Sequence, residues 1–597
     1  MMEERYSNLL FGTCLVGLLL GAVGTVYFLA GLAGYVHSPL LNSSIAVVLA
    51  GSLAFFFYHF FAAARETNWL GRAIWLLILF ILVAEAALGL VPPTARDELT
   101  HHLAIPRLYV QAGRIIEVPI APYSYYPMLL DMLFTPWLYW GLDFAPKLVH
   151  GFFGLLTGFL IYAYLSRRMN AVYGLLGFFF YISIPAVLRL SHWAYVDLGI
   201  TFYSTAALLC LLRWREEKGA NRWLIFSALS AGFAVSTKPN GLVVLLLVSF
   251  LFAFALANEP KRGLAKIGSE IVVFGGFALL PFLPWLSKNY VQTGNPFFPH
   301  FAGLFPRQGG VGRIVEAAQS YAEMGIFARR QLLYGESGWE IAGLPLRLFF
   351  LGQDDRPQYF DGVLSPILIL LLPWAFKGKW GEEKKILFSF AVLFLAYAIF
   401  LVDLRVRYIL VIVPPLVALL GYAVFNIYLR LKRPAYLFGG LIFFAGVHLT
   451  YLYHHFREVA PVGYVLGHEN REAYLTERLG EYPAFQYVNR ETPSTAKIYL
   501  LFVGRRAYYC ERDYFHDGGE LPGALIAAIR SAKEPADIAR RLKETHLTHL
   551  LVREDLLIRF LGDNLTPPQQ SLWNRFALNH LESLFRDRGY SVLRMHG

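Results

Sequence analysis

The chain has 597 residues, 56% of them hydrophobic and only 16% charged, against roughly 25% charged residues in an ordinary soluble protein. Its apolar runs are continuous and many reach the roughly 20 residues that span a bilayer, which argues against a β-barrel built from short alternating segments. The formal net charge of +11 collects in short loops between the runs, so it reads as membrane topology rather than as a nucleic-acid footprint.

The first apolar run, 9–34, is too long for the h-region of a signal peptide and lacks a convincing cleavage site, so a first transmembrane helix is expected there. Further spans are expected at 40–63, 72–92, 146–165, 172–190, 195–213, 223–237, 240–257, 270–289, 363–376, 385–402, 408–430 and 434–453, about thirteen in all. The segment 127–141 is also apolar, but a span there would carry every later basic loop across the membrane. A helix lying at the membrane surface is expected instead. With that choice, Arg65 and Arg72, Arg167 and Arg168, Arg213, Arg215, Lys218 and Arg222, Lys261, Arg262 and Lys266, Lys377, Lys379, Lys384 and Lys385, and Arg430, Lys432 and Arg433 all fall on one side. The short loops opposite carry only Lys238. The basic side is therefore cytoplasmic, with the amino terminus inside and the carboxyl terminus outside.

Two long loops then face outward, 93–145 and 290–362. The second is rich in Gly and Pro, with GNPFFPHF at 294–301 and QGGVG at 308–312; a loop of that length usually carries function or a lid. From about residue 455 the composition becomes that of a soluble domain. Strands are expected at 496–503, 548–552 and 590–595, and helices at 522–532, 535–546 and 569–587. The fold class is thus a polytopic α-helical membrane protein, 1–454, with a small outward α/β domain, 455–597. The three cysteines, Cys14, Cys210 and Cys510, imply no disulfide framework.

The residues with the strongest chemical signal are Asp97 and Glu98, in ARDELTHHLAIPRLY directly after the third apolar run. Charges beside a bilayer are costly and tend to be functional. On a helix, neighbours point about 100° apart, so the two acids cannot grip one small group. Asp97 would share a face with His101, and Glu98 with His102. The bland alternative is a pair of acids decorating a helix N-terminus.

DELTHHLAIPRLY in the first outward loop resembles the signature of the GT-C glycosyltransferases, closest to the protein O-mannosyltransferase and aminoarabinose-transferase branch. Asp197 in SHWAYVDLG, the lysine turn STKPNGL at 236–242, GNPFFP, and LRVRYILVIVPPL at 404–416 extend the resemblance over roughly 93–430. The resemblance implies transfer of a sugar from a polyprenyl-phosphate donor to a glycolipid, polysaccharide or protein acceptor among membrane lipids, with inversion. It implies Asp97 as base, with Glu98 and Asp197 in support. A phosphate leaving group needs cations more than a strong acid, and Lys238, Arg405, Arg407 and Tyr408 are the candidates. No cofactor is required; a divalent metal held by His101 and His102 with the acids Asp97 and Glu98, joined by His192 or His300, is the one the residues leave open, although the spacing lacks a strong metal pattern. Lack of disulfides and short basic loops fit a bacterial inner membrane. A lipid-linked glycan transporter or a glycan polymerase or ligase would share the spans and the cations.

Overall fold

Each expected span falls on helix in the computed structural model, which describes residues 2–218, 220–257, 263–301, 304–305, 325–378, 381–517 and 522–596. QGGVG at 308–312 and the basic residues Lys261, Arg262 and Lys379 lie outside the described residues. Among the described residues, seven helices are long and apolar enough to cross a membrane: Glu3–Leu32, Pro39–Arg65, Trp69–Gly89, Ala145–Arg168, Glu382–Leu401, Val406–Arg430 and Ala435–Val459. Two bent pairs, Ala171–Ser183 with Pro185–Ser191 (70°) and Leu264–Leu279 with Leu283–Thr293 (55°), raise the number to nine. The first bend follows from sequence: Pro185 forces the preceding Ile184 into an extended conformation, with ψ 129°. The remaining expected spans are helices that do not qualify alone. Asn221–Thr237 and Gly241–Ala257 have 17 residues each, and 363–376 contains only the two four-residue helices Ile367–Leu370 and Leu372–Ala375.

Ala145–Arg168 and Asp197–Glu216 are buried on nearly every face, which is the pattern of helices at the centre of a bundle. Small residues let their neighbours approach. A Cβ on Gly158 would lie 2.3 Å from the Phe178 ring, and one on Gly174 would lie 2.7 Å from the Tyr162 carbonyl oxygen. At one end of the bundle the basic loop residues interlock with acids from other helices. Arg167 meets Glu3 (3.3 Å) and Glu216 (2.5 Å), Arg168 meets Glu383 (2.8 Å), and Arg213 meets Glu216 (2.6 Å). This gathers the amino terminus and several basic loops at a common end, as the charge pattern anticipates.

The apolar segment at 127–141 forms the helix Leu129–Tyr139, too short to span. A helix lying on the membrane surface would keep one polar face wet. Here Leu129 to Pro136 are all buried, packed against the helices Met2–Leu32, Ala104–Ala112 and Ala145–Arg168, so the segment is a short, non-spanning helix with protein on most sides.

Beyond Val459 lies a five-stranded sheet of order β2-β1-β3-β5-β4, formed by β1 (Lys497–Leu501), β2 (Asp513–Phe515), β3 (His549–Arg553), β4 (Leu581–Asp587) and β5 (Tyr590–Met595). β1 pairs in parallel with β2 and β3, and β5 pairs antiparallel with β3 and β4. The helix expected at 569–587 ends at His580, and its last residues are strand β4. The reason is a tight hairpin: Arg588 and Gly589 both have positive φ (49° and 80°), the two-residue turn that matches strand twist, and it pairs Asp587 with Tyr590.

Candidate active site

Residues 98–102 form a single π-helical turn in which the Leu103 N–H bonds to the Glu98 carbonyl (3.0 Å). Such turns recur at functional sites. The widened turn undoes the expected face-sharing of Glu98 with His102. Glu98 is fully buried, its carboxylate accepting the backbone N–H groups of Thr94 (3.0 Å), Ala95 (2.9 Å) and Ala194 (2.6 Å). Burial raises its carboxyl group, against the opposing pull of Lys147 and these N–H groups. His102 turns instead to Asp131 (Nδ1 to Oδ1, 2.8 Å).

Asp97 takes the opposite course. Its carboxylate forms an ion pair with Arg407, and its backbone N–H donates to the Tyr195 hydroxyl (3.2 Å). Burial alone would raise the Asp97 carboxyl, but the Arg407 guanidinium outweighs it and holds the group well below the usual carboxylate range. Asp197 opens the helix Asp197–Glu216, where a carboxylate suits the helix dipole. It meets Lys238 at 2.6 Å. Lys238 is held in extended conformation (φ −158°, ψ 145°) between two helices by the Pro239 turn, so its side chain leaves the helical stack. Tyr408 sits between the two cations, its ring 4.7 Å from Lys238 Nζ and 5.0 Å from Arg407 Cζ.

These residues share a cavity of about 1030 Å³. Asp97, His101, His102, Lys238, Arg405, Arg407 and Tyr408 line it. Glu98 and Asp197 do not: Glu98 stands behind the wall as a backbone anchor, and Asp197 behind Lys238. Arg405, two residues from Arg407, points to other acids, Asp361 (3.4 Å) and Asp403 (3.7 Å).

The metal group that the sequence left open does not assemble among the described residues: no three His, Cys, Asp or Glu side chains converge there to hold an ion. His101 bonds to Thr100 (2.8 Å) and stacks on Tyr123. Burial together with the neighbouring His102 and cations drives its imidazole well below the ordinary value, so it stays neutral. His192 bonds to Glu85 (3.1 Å) and His455 (2.9 Å), and His300 stacks on Tyr126. Sequence reasoning missed Asp131, although a lone carboxylate in the apolar stretch 127–141 was a usable signal. It also missed Arg189, which pairs with Asp354 (2.9 Å) and Asp355 (2.6 Å) across the cavity wall; nothing local marks those as partners.

Residues 132–305 match the family model described as Dolichyl-phosphate-mannose-protein mannosyltransferase. No curated protein sequence matches the chain significantly. Among solved structures, ArnT from Cupriavidus metallidurans bound to undecaprenyl phosphate is similar at 14% identity and a TM-score of 0.52, covering 87% of this chain and 97% of that one. The apo form of the same ArnT gives 15% identity and the same TM-score and coverage. The archaeal oligosaccharyltransferase AglB from Archaeoglobus fulgidus is similar at 10% identity and a TM-score of 0.49, over 82% of this chain and 70% of that one. The central segment is thus similar to that mannosyltransferase family model, and the fold is similar to that of ArnT over nearly the whole length of both chains.

Proposed function

We propose that the protein moves a monosaccharide from a polyprenyl-phosphate carrier to a hydroxyl-bearing acceptor at the non-cytoplasmic face of a bacterial inner membrane, with inversion and with Asp97 as base. The observation that carries this reading is the pair of ion pairs on one cavity: Asp97 with Arg407, and Asp197 with Lys238. On Arg407 an incoming phosphate would displace Asp97, and Arg matches phosphate with two parallel hydrogen bonds; Lys238 faces the cavity with Asp197 behind it, a backing carboxylate that fixes the ammonium in place. The undecaprenyl phosphate of the similar ArnT structure is a ligand of this chemistry.

The displacement needs little else. The acceptor oxygen attacks the anomeric carbon as its proton passes to Asp97. The bond from that carbon to the phosphate oxygen breaks, and polyprenyl phosphate leaves with its charge on Arg407 and Lys238. Once the phosphate has claimed Arg407, Asp97 loses its strongest partner and becomes a better base. Tyr408 lies against both cations and keeps them on one side of the cavity. His101 and His102 line the cavity in this scheme, and Arg405 lies on the same wall, paired with Asp361 and Asp403. The division between the spanning part and the outward domain falls at about residue 455.

The test is reconstitution of the full chain with radiolabelled polyprenyl-phosphate monosaccharides and total membrane acceptors, beside Asp97→Asn. Sugar transfer should vanish in the variant while undecaprenyl phosphate still binds. Undiminished transfer would remove Asp97 as base. Labelled carrier crossing the bilayer with no sugar moved would favour a transporter.

A further inference from the structure

The π turn at 98–102 has a consequence outside the spanning domain. In an α-helix the Leu103 N–H would occupy the Leu99 carbonyl. Here it goes to Glu98, and the Leu99 carbonyl accepts the backbone N–H of Tyr508 at 3.2 Å, from more than 400 residues away. Around this bond the outward domain grips the same loop repeatedly. Arg107 donates to the Tyr508 carbonyl, the Tyr509 hydroxyl donates to the Pro93 carbonyl (2.7 Å), and the Tyr508 hydroxyl donates to Asp143 (3.1 Å). Asp143, nearly buried at the entrance to the helix Ala145–Arg168, also receives both terminal nitrogens of Arg471, at 3.1 and 2.5 Å.

The other side of the loop is held as firmly. Lys147 donates to the Val91 carbonyl (2.9 Å), Glu98 collects the Thr94 and Ala95 N–H groups, and Tyr195 accepts from Asp97. The backbone from 91 to 99 is therefore fixed between the spanning bundle and the Tyr508–Tyr509 pair, with Asp97 in the middle. The same tip of the outward domain gives Arg505 and Arg506 to the cavity wall.

We infer that the outward domain is a working part of the active site, and that Tyr508 and Arg471 are positioning residues that set the Asp97 loop for transfer. A carboxylate misplaced by an ångström costs far more in rate than in affinity. The cations Lys238 and Arg407 sit on other segments, so donor binding does not depend on the clamp. The kinetic part of the inference rests on the proposed role of Asp97; the structural part does not.

The experiment uses the full chain in nanodiscs as wild type, Arg471→Ala, Arg471→Lys and Tyr508→Phe, with three readouts. In Arg471→Ala, amide exchange of residues 94–103 should rise by about tenfold while β3 and β5 keep their protection. Sugar transfer should fall by about tenfold while undecaprenyl phosphate binding stays within about twofold. Arg471→Lys, which keeps the charge but not the fork, should recover part of the transfer, and Tyr508→Phe, which keeps the backbone bond, should lose less than Arg471→Ala. Unchanged exchange at 94–103 in both Arg471→Ala and Tyr508→Phe would overturn the clamp. Raised exchange with undiminished transfer would leave the clamp real but strike out the role of Asp97. If Arg471→Ala loses the protection of β3 and β5, Tyr508→Phe decides alone: equal losses of transfer and undecaprenyl phosphate binding there would reduce the contact to simple stabilisation.

Discussion

Asp97 and Glu98 are neighbours in sequence with opposite environments. Asp97 meets a guanidinium on the cavity wall, and Glu98 meets only backbone N–H groups and the Lys147 field. Removing a partner therefore has different effects at each. Arg407→Ala leaves a half-buried carboxylate without its ion and should lower stability, with transfer abolished; Arg407→Lys should keep the fold but lose much of the affinity for undecaprenyl phosphate, because the fork is gone. Thermal unfolding and ligand titration distinguish the two. The sign of the Asp97 shift gives a pH prediction. A depressed carboxyl stays ionised down through the ordinary carboxylate range and is protonated only below it, so kcat/KM should show no acidic limb from Asp97 above about pH 4. When phosphate takes Arg407, the group rises, and the acidic limb of kcat should lie at higher pH than that of kcat/KM. Coincident limbs would show that the donor leaves the Asp97–Arg407 pair intact.

At the scale of elements, the π turn and the two turns that carry Lys238 and Asp197 do the placing. Glu98 fixes the first of these by accepting three N–H groups from two segments, 94–95 and 194. Glu98→Ala would bury those donors unpaired, at about 1–3 kcal/mol each, and transfer should fall steeply while Asp97 itself remains. Glu98→Gln should be only partly better, because its amide group presents donors to donors. Circular dichroism melts with transfer assays on both variants test this; a Glu98→Ala protein of wild-type stability would contradict the anchor role. Helix geometry at this scale also explains why Glu98 does not meet His102: the 3.6-residue period assumed for 97–102 is replaced by a wider turn, which no local sequence signal announced.

At the scale of the whole molecule, the fold encloses several imidazoles whose charged form burial disfavours. His101 and His192 are pushed well below their ordinary values, and His516 drops to about 4, burial being the leading cause in each. A histidine with a depressed folded value stabilises above its unfolded value near 6.5 and loses that contribution as pH falls toward the folded one. For His516 alone the loss at pH 5 is on the order of 2 kcal/mol. The melting temperature should therefore fall between pH 7.5 and pH 5, with His516→Gln flattening part of the dependence. A pH-independent melt would show that these rings are not buried in solution.

The sequence by itself determined what local chemistry can encode. Apolar length set the helices, charge asymmetry set which loops share an end, and alternating composition set the small sheet domain. The resemblance carried by DELTHH, STKPNGL and LRVRYIL drew attention to Asp97, Lys238, Arg405, Arg407 and Tyr408, which the fold brings to one cavity. What it left to tertiary structure was pairing. Arg407 reaches Asp97 across 310 positions and Tyr508 reaches Asp143 across 365. Burial of the 127–141 segment, the diversion of Glu98 from His102 to backbone donors, and the failure of the histidines to converge were decided the same way. A short motif fixes a backbone conformation and a side-chain type; which distant charge that side chain meets depends on how the helices pack, and the energy of that meeting is set by burial that only the folded chain supplies.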